Sequence, residues 1–209
     1  MFDPESLTLI AITDHLRDGR DGLVARAAAA VRGGATMIQL RLKDVDARMQ
    51  VEVARALRAA LPAAVPLIIN DRLDVALAAG ASGVHVGADD LPVAAVRRIT
   101  PAGFIVGTSV GVDAEVAGAA GADYVGIGPV FPTASKVDAG PAIGVDGLAR
   151  FVRACALPAV AIGGIDTGNA HTVLAAGARG IAVLRAVFGA PDPEAAARAL
   201  RAALGGIPA

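Results

Sequence analysis

A chain of 209 residues that is 55 % apolar and 19 % charged, with 25 Gly and 12 Pro, can bury a substantial core, which excludes a disordered polar tract and a collagen-like repeat. Its formal charge of -1 is spread along the chain, so there is no basic stripe for nucleic acid or an anionic membrane surface, and small molecules are the expected partners. The single cysteine, Cys155, lies between Ala154 and Ala156; it forms no internal disulfide and reads as a buried structural thiol of an intracellular protein.

Residues 1–14 lack a basic region followed by a long apolar stretch, so neither a signal peptide nor an anchor is read there. Apolar runs elsewhere are strand-length or are broken by Arg and Gly, well short of the roughly 20 residues of a membrane-spanning helix. A cytoplasmic location without membrane association is expected, and a homo-oligomer is left open.

In chain order, apolar runs suited to strands fall at 7–12, 36–40, 66–69, 82–86, 104–108, 123–127, 158–162 and 180–184, each bounded by Pro, Gly or polar residues. Helical patterns intervene, including 22–32, 47–60, 93–99, 148–154 and 193–204. A Gly-Ala pair recurs before alternate strands, at Gly34-Ala35, Gly80-Ala81, Gly121-Ala122 and Gly177-Ala178, and reads as helix, glycine stop, strand. Strands this continuously apolar are covered on both faces, and strand-helix alternation implies parallel pairing with right-handed crossovers. The prediction is an α/β chain forming a single (β/α)8 TIM barrel over 1–209, with the chemistry on the loops after the strands.

The unusual residues fall on those loops. Alternation along the second strand puts Gln39, Arg41 and Lys43 on one side and Leu40 and Leu42 on the other. An amide, a guanidinium and an ammonium together suit an anionic ligand, the plainer reading being a solvated strand end with an Arg–carboxylate pair. Lys43 and Lys136 are the only lysines, and both lie on predicted mouth loops, where a compact ammonium suits phosphate. The third strand leads into Asn70-Asp71-Arg72, and the fourth into Gly87-Ala88-Asp89-Asp90. Asp71 and Asp90 form a carboxylate pair of the kind that holds Mg²⁺ together with waters and substrate phosphates; helix capping is the competing reading for each. His85, within the fourth strand, reads first as a hydrogen-bonded interior residue and second as a substrate contact, and the three histidines show no zinc-ligand spacing.

After the fifth strand comes Gly107-Thr108-Ser109. After the sixth comes Gly126-Ile127-Gly128-Pro129, leading to Thr133-Ala134-Ser135-Lys136. This last connection is long for a compact domain and reads as a functional loop contacting an anion, or else as an exposed turn. The seventh strand ends in Gly163-Gly164 and the eighth in Leu184-Arg185, where many barrels bind phosphate through backbone N–H groups. Arg185 reads either as a further phosphate contact or as a surface residue.

The ordered set Ile12-Thr13-Asp14, Gln39-Leu40-Arg41-Leu42-Lys43, Asn70-Asp71-Arg72-Leu73-Asp74, Gly83-Val84-His85-Val86-Gly87, Gly126-Ile127-Gly128-Pro129 and Ile162-Gly163-Gly164-Ile165 resembles the thiamine phosphate synthase family over nearly the whole chain. The resemblance implies coupling of a hydroxymethylpyrimidine diphosphate to a thiazole phosphate, or its carboxylated form, giving thiamine phosphate and diphosphate by a dissociative route. It implies that Gln39, Leu40, Arg41, Leu42, Lys43, Asn70, Ser109 and Lys136 hold the pyrimidine diphosphate, with Mg²⁺ on Asp71 and Asp90. Thr133, Ala134, Ser135, Gly164, Leu184 and Arg185 would hold the thiazole phosphate, and Arg41, Lys43, Ser109 and Lys136 would serve catalysis.

Two positions depart from the family's usual pattern: Ala88 stands where Gln is usual and Arg185 where Ser is usual. They keep open a catalytically silent phosphate-binding homologue; the nearest alternative is a thiazole tautomerase-like isomerase, against which Lys43, Asp71 and Asp90 argue. An epimerase or aldolase on the same barrel is less well matched, because no lysine lies within a strand core.

Overall fold

Short, largely apolar strands whose backbone groups must all be paired find their partners by closing on themselves. In the computed structural model, which describes residues 2–13, 15–16, 18–133 and 140–205, the strands are β1 (Leu9–Ile12), β2 (Met37–Leu40), β3 (Leu67–Asn70), β4 (Gly83–Val86), β5 (Ile105–Val110), β6 (Tyr124–Ile127), β7 (Ala159–Ile162) and β8 (Gly180–Val183). They pair in parallel in sequence order, and β8 returns to β1 to form a closed barrel. The helices are α1 (Gly19–Arg32), α2 (Ala47–Ala60), α3 (Leu73–Ala79), α4 (Val93–Ile99), α5 (Asp113–Val116), α6 (Gly144–Cys155), α7 (Ala170–Ala175), α8 (Arg185–Phe188) and α9 (Pro193–Ala203). The predicted (β/α)8 barrel is the observed fold.

Strand alternation divides the core in two. Ile10, Met37, Ile68, Ile105, Tyr124 and Val160 meet inside the barrel, whereas Ile38, Ile69, Val84, Val106 and Val125 pack outward with the buried faces of the helices. At roughly 25 cal/mol per Å² of buried apolar surface, this double-sided burial is the main force holding the sheet. The Gly-Ala junctions behave as stops: Gly34, Gly80, Gly121 and Gly177 all have positive φ, between 64° and 106°, a region open to glycine without steric cost. Two helices start on aspartate caps, with Asp46 accepting from Met49 N and Asp192 accepting from Glu194 N and Ala195 N.

Two boundaries differ from the prediction in ways that matter for the site. The first strand starts at Leu9 because residues Pro4–Leu7 wind into a 3-10 turn, capped by Asp3, that carries Leu7 into the floor of the barrel. The fifth strand runs on to Val110 because Thr108, Ser109 and Val110 pair with Val125, Gly126 and Ile127. Ser109 is therefore held on the sheet, not on a loop.

Candidate active site at the barrel mouth

The carboxyl ends of β2, β3 and β4 bring four charged side chains together. Lys43 Nζ lies 3.8 Å from Asp71 Oδ2, and Arg41 and Asp90 are near enough to Asp71 to alter its ionisation. Asp71 takes a left-handed conformation, φ 63°, which aspartate tolerates better than most residues. Its N–H donates to His85 O at 2.8 Å, so the turn is tied to β4. Asp90 Oδ2 accepts from Gly87 N at 2.7 Å, which folds the loop after β4 back toward β3.

The capping alternative for these two aspartates does not hold. Helix α3 has Arg72 at its N-cap and α4 has Pro92, neither with a side-chain cap bond. Burial, and next the neighbouring Asp90 carboxylate, push the Asp71 carboxyl up to about 6; Lys43 and Arg41 only partly offset this. Two carboxylates held close against their mutual repulsion in a partly desolvated cleft suit a divalent cation with oxygen preference. Among the described residues no group of three or more His, Cys, Asp or Glu could hold a metal ion. A cation on Asp71 and Asp90 would therefore draw its other ligands from water and substrate, as Mg²⁺ does. Asp74, from the same motif, instead pairs with Arg72 at 2.5 Å, and that pairing holds its carboxyl below the usual range.

The other predicted residues are distributed around the same rim. Arg41 is half-buried and Lys43 exposed; Thr13, fully buried, accepts from Arg41 N at 2.9 Å and donates to Arg41 O at 3.2 Å, fixing the backbone where β2 ends. Gln39 sits deeper, 5 % exposed, near enough to Tyr124 to act on its ionisation. Leu40 and Leu42 join the outer apolar layer, and Asn70 ends β3 opposite His85. His85 is held between Tyr124 Oη, 3.1 Å from Nδ1, and Ser109 Oγ, 3.0 Å from Nε2. Ser109 is exposed at the mouth.

Across the mouth, Gly164 is exposed with φ 64°. A Cβ on it would come within 2.7 Å of Phe131 Cβ and Pro132 O, so its close approach to the connection after β6 is one reason for glycine here. Leu184 packs against the barrel interior, and Arg185 is exposed at the start of α8. Thr133 is half-buried beside this rim, whereas Ala134, Ser135 and Lys136 lie outside the described residues. A groove of about 570 Å³ lined by Arg48, Glu52, Arg55 and Asp74 opens between α2 and α3, on the outer layer.

Comparison with known proteins decides the family. The family model described as thiamine monophosphate synthase matches residues 9–187. The chain belongs to the thiamine monophosphate synthase family. A thiamine-phosphate synthase of Roseiflexus sp. (strain RS-1) is 53 % identical over 199 residues, covering 92 % of this chain and 83 % of the relative. One of Xanthobacter autotrophicus is 48 % identical over 207 residues, covering 98 % of each. The solved thiamine phosphate pyrophosphorylase of Pyrococcus furiosus superposes with a TM-score of 0.86 at 39 % identity, covering 97 % of both chains.

Within this family frame, sequence reading assigned Tyr124 no role, and assigned Thr13, Gly107 and Gly126 none beyond their places in the motifs. Tyr124 is the only tyrosine in the chain and alternates inward with Gly126 on β6, a signal that was available. The role of Thr13 could not be read from its motif, because its bonds to Arg41 cross 28 residues of chain. Among the described residues no helix is long and apolar enough to cross a membrane.

Proposed function

We propose that this chain couples a hydroxymethylpyrimidine diphosphate to a thiazole phosphate, releasing diphosphate and forming thiamine phosphate, as one barrel domain over 1–209 acting in the cytoplasm. The observation that carries the reading is the Lys43–Asp71–Asp90 cluster at the barrel mouth, in a chain whose family relatives are named for this reaction. The two carboxylates fit Mg²⁺, which when bound would supply positive charge to the diphosphate oxygens.

Arg41, Lys43 and Lys136 would gather negative charge as the C–O bond to the diphosphate breaks and its electron pair leaves with oxygen. Ser109 and Asn70 would contribute neutral hydrogen bonds and Gln39 would line the pyrimidine site, whereas Leu40 and Leu42, whose side chains pack into the outer layer, would reach it only through their backbone groups. The pyrimidine-methyl cation left behind is captured by the thiazole nitrogen lone pair, so no covalent enzyme nucleophile is needed. Thr133, Ala134, Ser135, Gly164, Leu184 and Arg185 would orient the thiazole phosphate so that its nitrogen faces that carbon, where alignment is worth several powers of ten in rate. Bulk water competes for the cation, which gives the long connection after β6 a role in shielding the site.

Incubation of the purified protein with both substrates, with and without Mg²⁺, tests the reading. Equal amounts of thiamine phosphate and diphosphate, dependent on Mg²⁺, are expected. Thiazole isomerisation without coupling, or ligand binding without product, would overturn it.

A further inference from the structure

Four side chains form a polar line across the inside of the barrel: Gln39 on β2, Tyr124 on β6, His85 on β4 and Ser109 on β5. Tyr124 is completely buried, and His85 is 9 % exposed. Only Ser109 reaches the mouth. The line occupies space that two glycines leave open. A Cβ on Gly107 would sit 2.2 Å from Tyr124 Cζ and 2.5 Å from its hydroxyl oxygen, and one on Gly126 would sit 3.2 Å from His85 Cε1. The barrel interior is otherwise filled with apolar side chains at this level, so a tyrosine and an imidazole placed here need their polar atoms satisfied by one another.

The order of donors follows from proton counting. Of a phenol and a neutral imidazole, the phenol is the stronger proton donor and the imidazole nitrogen the better acceptor. Tyr124 then has one proton to give, and the partner in reach is His85 Nδ1, 3.1 Å away. A neutral imidazole accepting at Nδ1 carries its proton on Nε2. Nε2–H therefore donates to Ser109 Oγ across 3.0 Å. With its oxygen occupied as an acceptor from inside, the Ser109 hydroxyl proton is turned outward, into the mouth.

We propose that Tyr124 is a positioning residue that locks His85 in the Nε2–H tautomer, so that Ser109 is presented as a committed hydrogen-bond donor to an anionic oxygen of the diphosphate substrate. The diphosphate as ligand rests on the function proposed above; the tautomer does not. With Tyr124 changed to phenylalanine, the imidazole can turn its proton to Nδ1 and accept from Ser109, and the mouth loses a donor although neither Ser109 nor His85 has changed.

Long-range ¹H–¹⁵N spectra of histidine-labelled protein, with the His85 signals assigned by difference against His85→Asn, read the tautomer directly. The expected result is a protonated Nε2 and an unprotonated Nδ1 in the unaltered protein. An Nδ1–H tautomer or an imidazolium there would overturn the proposal, and this measurement needs no variant at the tested position to fold. In Tyr124→Phe the spectrum should shift toward Nδ1–H. Titration of inorganic diphosphate with Mg²⁺ should give a Kd about tenfold weaker, the loss expected for one hydrogen bond to a charged group. Adding Tyr124→Phe to Ser109→Ala should weaken binding no further, since both remove the same donor. Additive losses, or an unchanged Kd with an altered tautomer, would sink the coupling between Tyr124 and Ser109. Because diphosphate binding is read without turnover, a protein that binds it in this pattern yet makes no thiamine phosphate would contradict the proposed reaction and leave this inference intact.

Discussion

Asp71 lies between Lys43, 3.8 Å away, and the carboxylate of Asp90, which is close enough to oppose its ionisation. Its carboxyl is thus pulled toward ionisation by a cation and pushed away from it by burial and a like charge. The second influence prevails and raises it to about 6. Such a group is poised to gain more from a bound divalent cation than an isolated surface aspartate would.

Asp90→Ala should lower turnover by about 100-fold, in line with the several kcal/mol that a metal contributes to charge stabilisation in a transition state. Folding should suffer far less, since the substitution frees one backbone N–H, that of Gly87, at about 1 kcal/mol. Steady-state rates at limiting Mg²⁺ alongside thermal melts check this; undiminished activity there would remove Asp90 from the metal site.

The pH dependence of Mg²⁺ stabilisation has a defined sign. The folded Asp71 binds its proton more tightly than the ordinary carboxyl at 3.8, reaching about 6. Metal-free stability contributed by this group therefore falls as pH rises from about 4 to about 6, and the penalty is fully present above that. Mg²⁺ binds the ionised pair, so the rise in Tm on adding saturating Mg²⁺ should be larger at about pH 7 than at about pH 5. A rise that is flat or larger at the lower pH would contradict the assignment.

Gly107→Ala should destabilise the barrel by about 1–3 kcal/mol, the usual cost of overpacking a filled interior, because the new methyl would meet the Tyr124 ring at 2.2 Å. Gly126→Ala, whose nearest contact is the His85 ring at 3.2 Å, should cost less. Urea melts of the two variants give the order directly, and the reverse order would mean that the interior line is arranged differently.

Thr13→Val keeps the shape of a fully buried side chain but removes the hydroxyl that bonds both Arg41 N and Arg41 O. A loss of about 1–3 kcal/mol in stability is expected from leaving a buried polar group unpaired. A rise in KM for the diphosphate substrate should accompany it, since the backbone carrying Arg41 loses its tether. Parallel melts and kinetics separate the two effects; an unchanged KM would show that Arg41 needs no such support.

The architecture was legible because it depends on local patterns. Runs such as Ile68-Ile69, patterned helices and the glycine stops at Gly34, Gly80, Gly121 and Gly177 each act within a few residues, and their alternation leaves few topologies. The residue types of the site were legible as well: Lys43, Asp71 and Asp90 stand out because charges are scarce at the ends of buried strands. What the linear chain could not convey was which group each would meet. Capping and metal binding were equally open for Asp71 and Asp90 until the turns after β3 and β4 turned both away from their helices and toward each other.

By itself, then, the sequence determined a parallel barrel with an anion-ready, carboxylate-bearing mouth, because strand period, helix stops and scarce charges are properties of neighbouring residues. Only the tertiary structure decided that Tyr124, His85 and Ser109 form one hydrogen-bonded line beside Gln39. Tyr124 and His85 lie 39 residues apart in the chain, and their contact depends on the closure of the barrel and on the space left by Gly107 and Gly126.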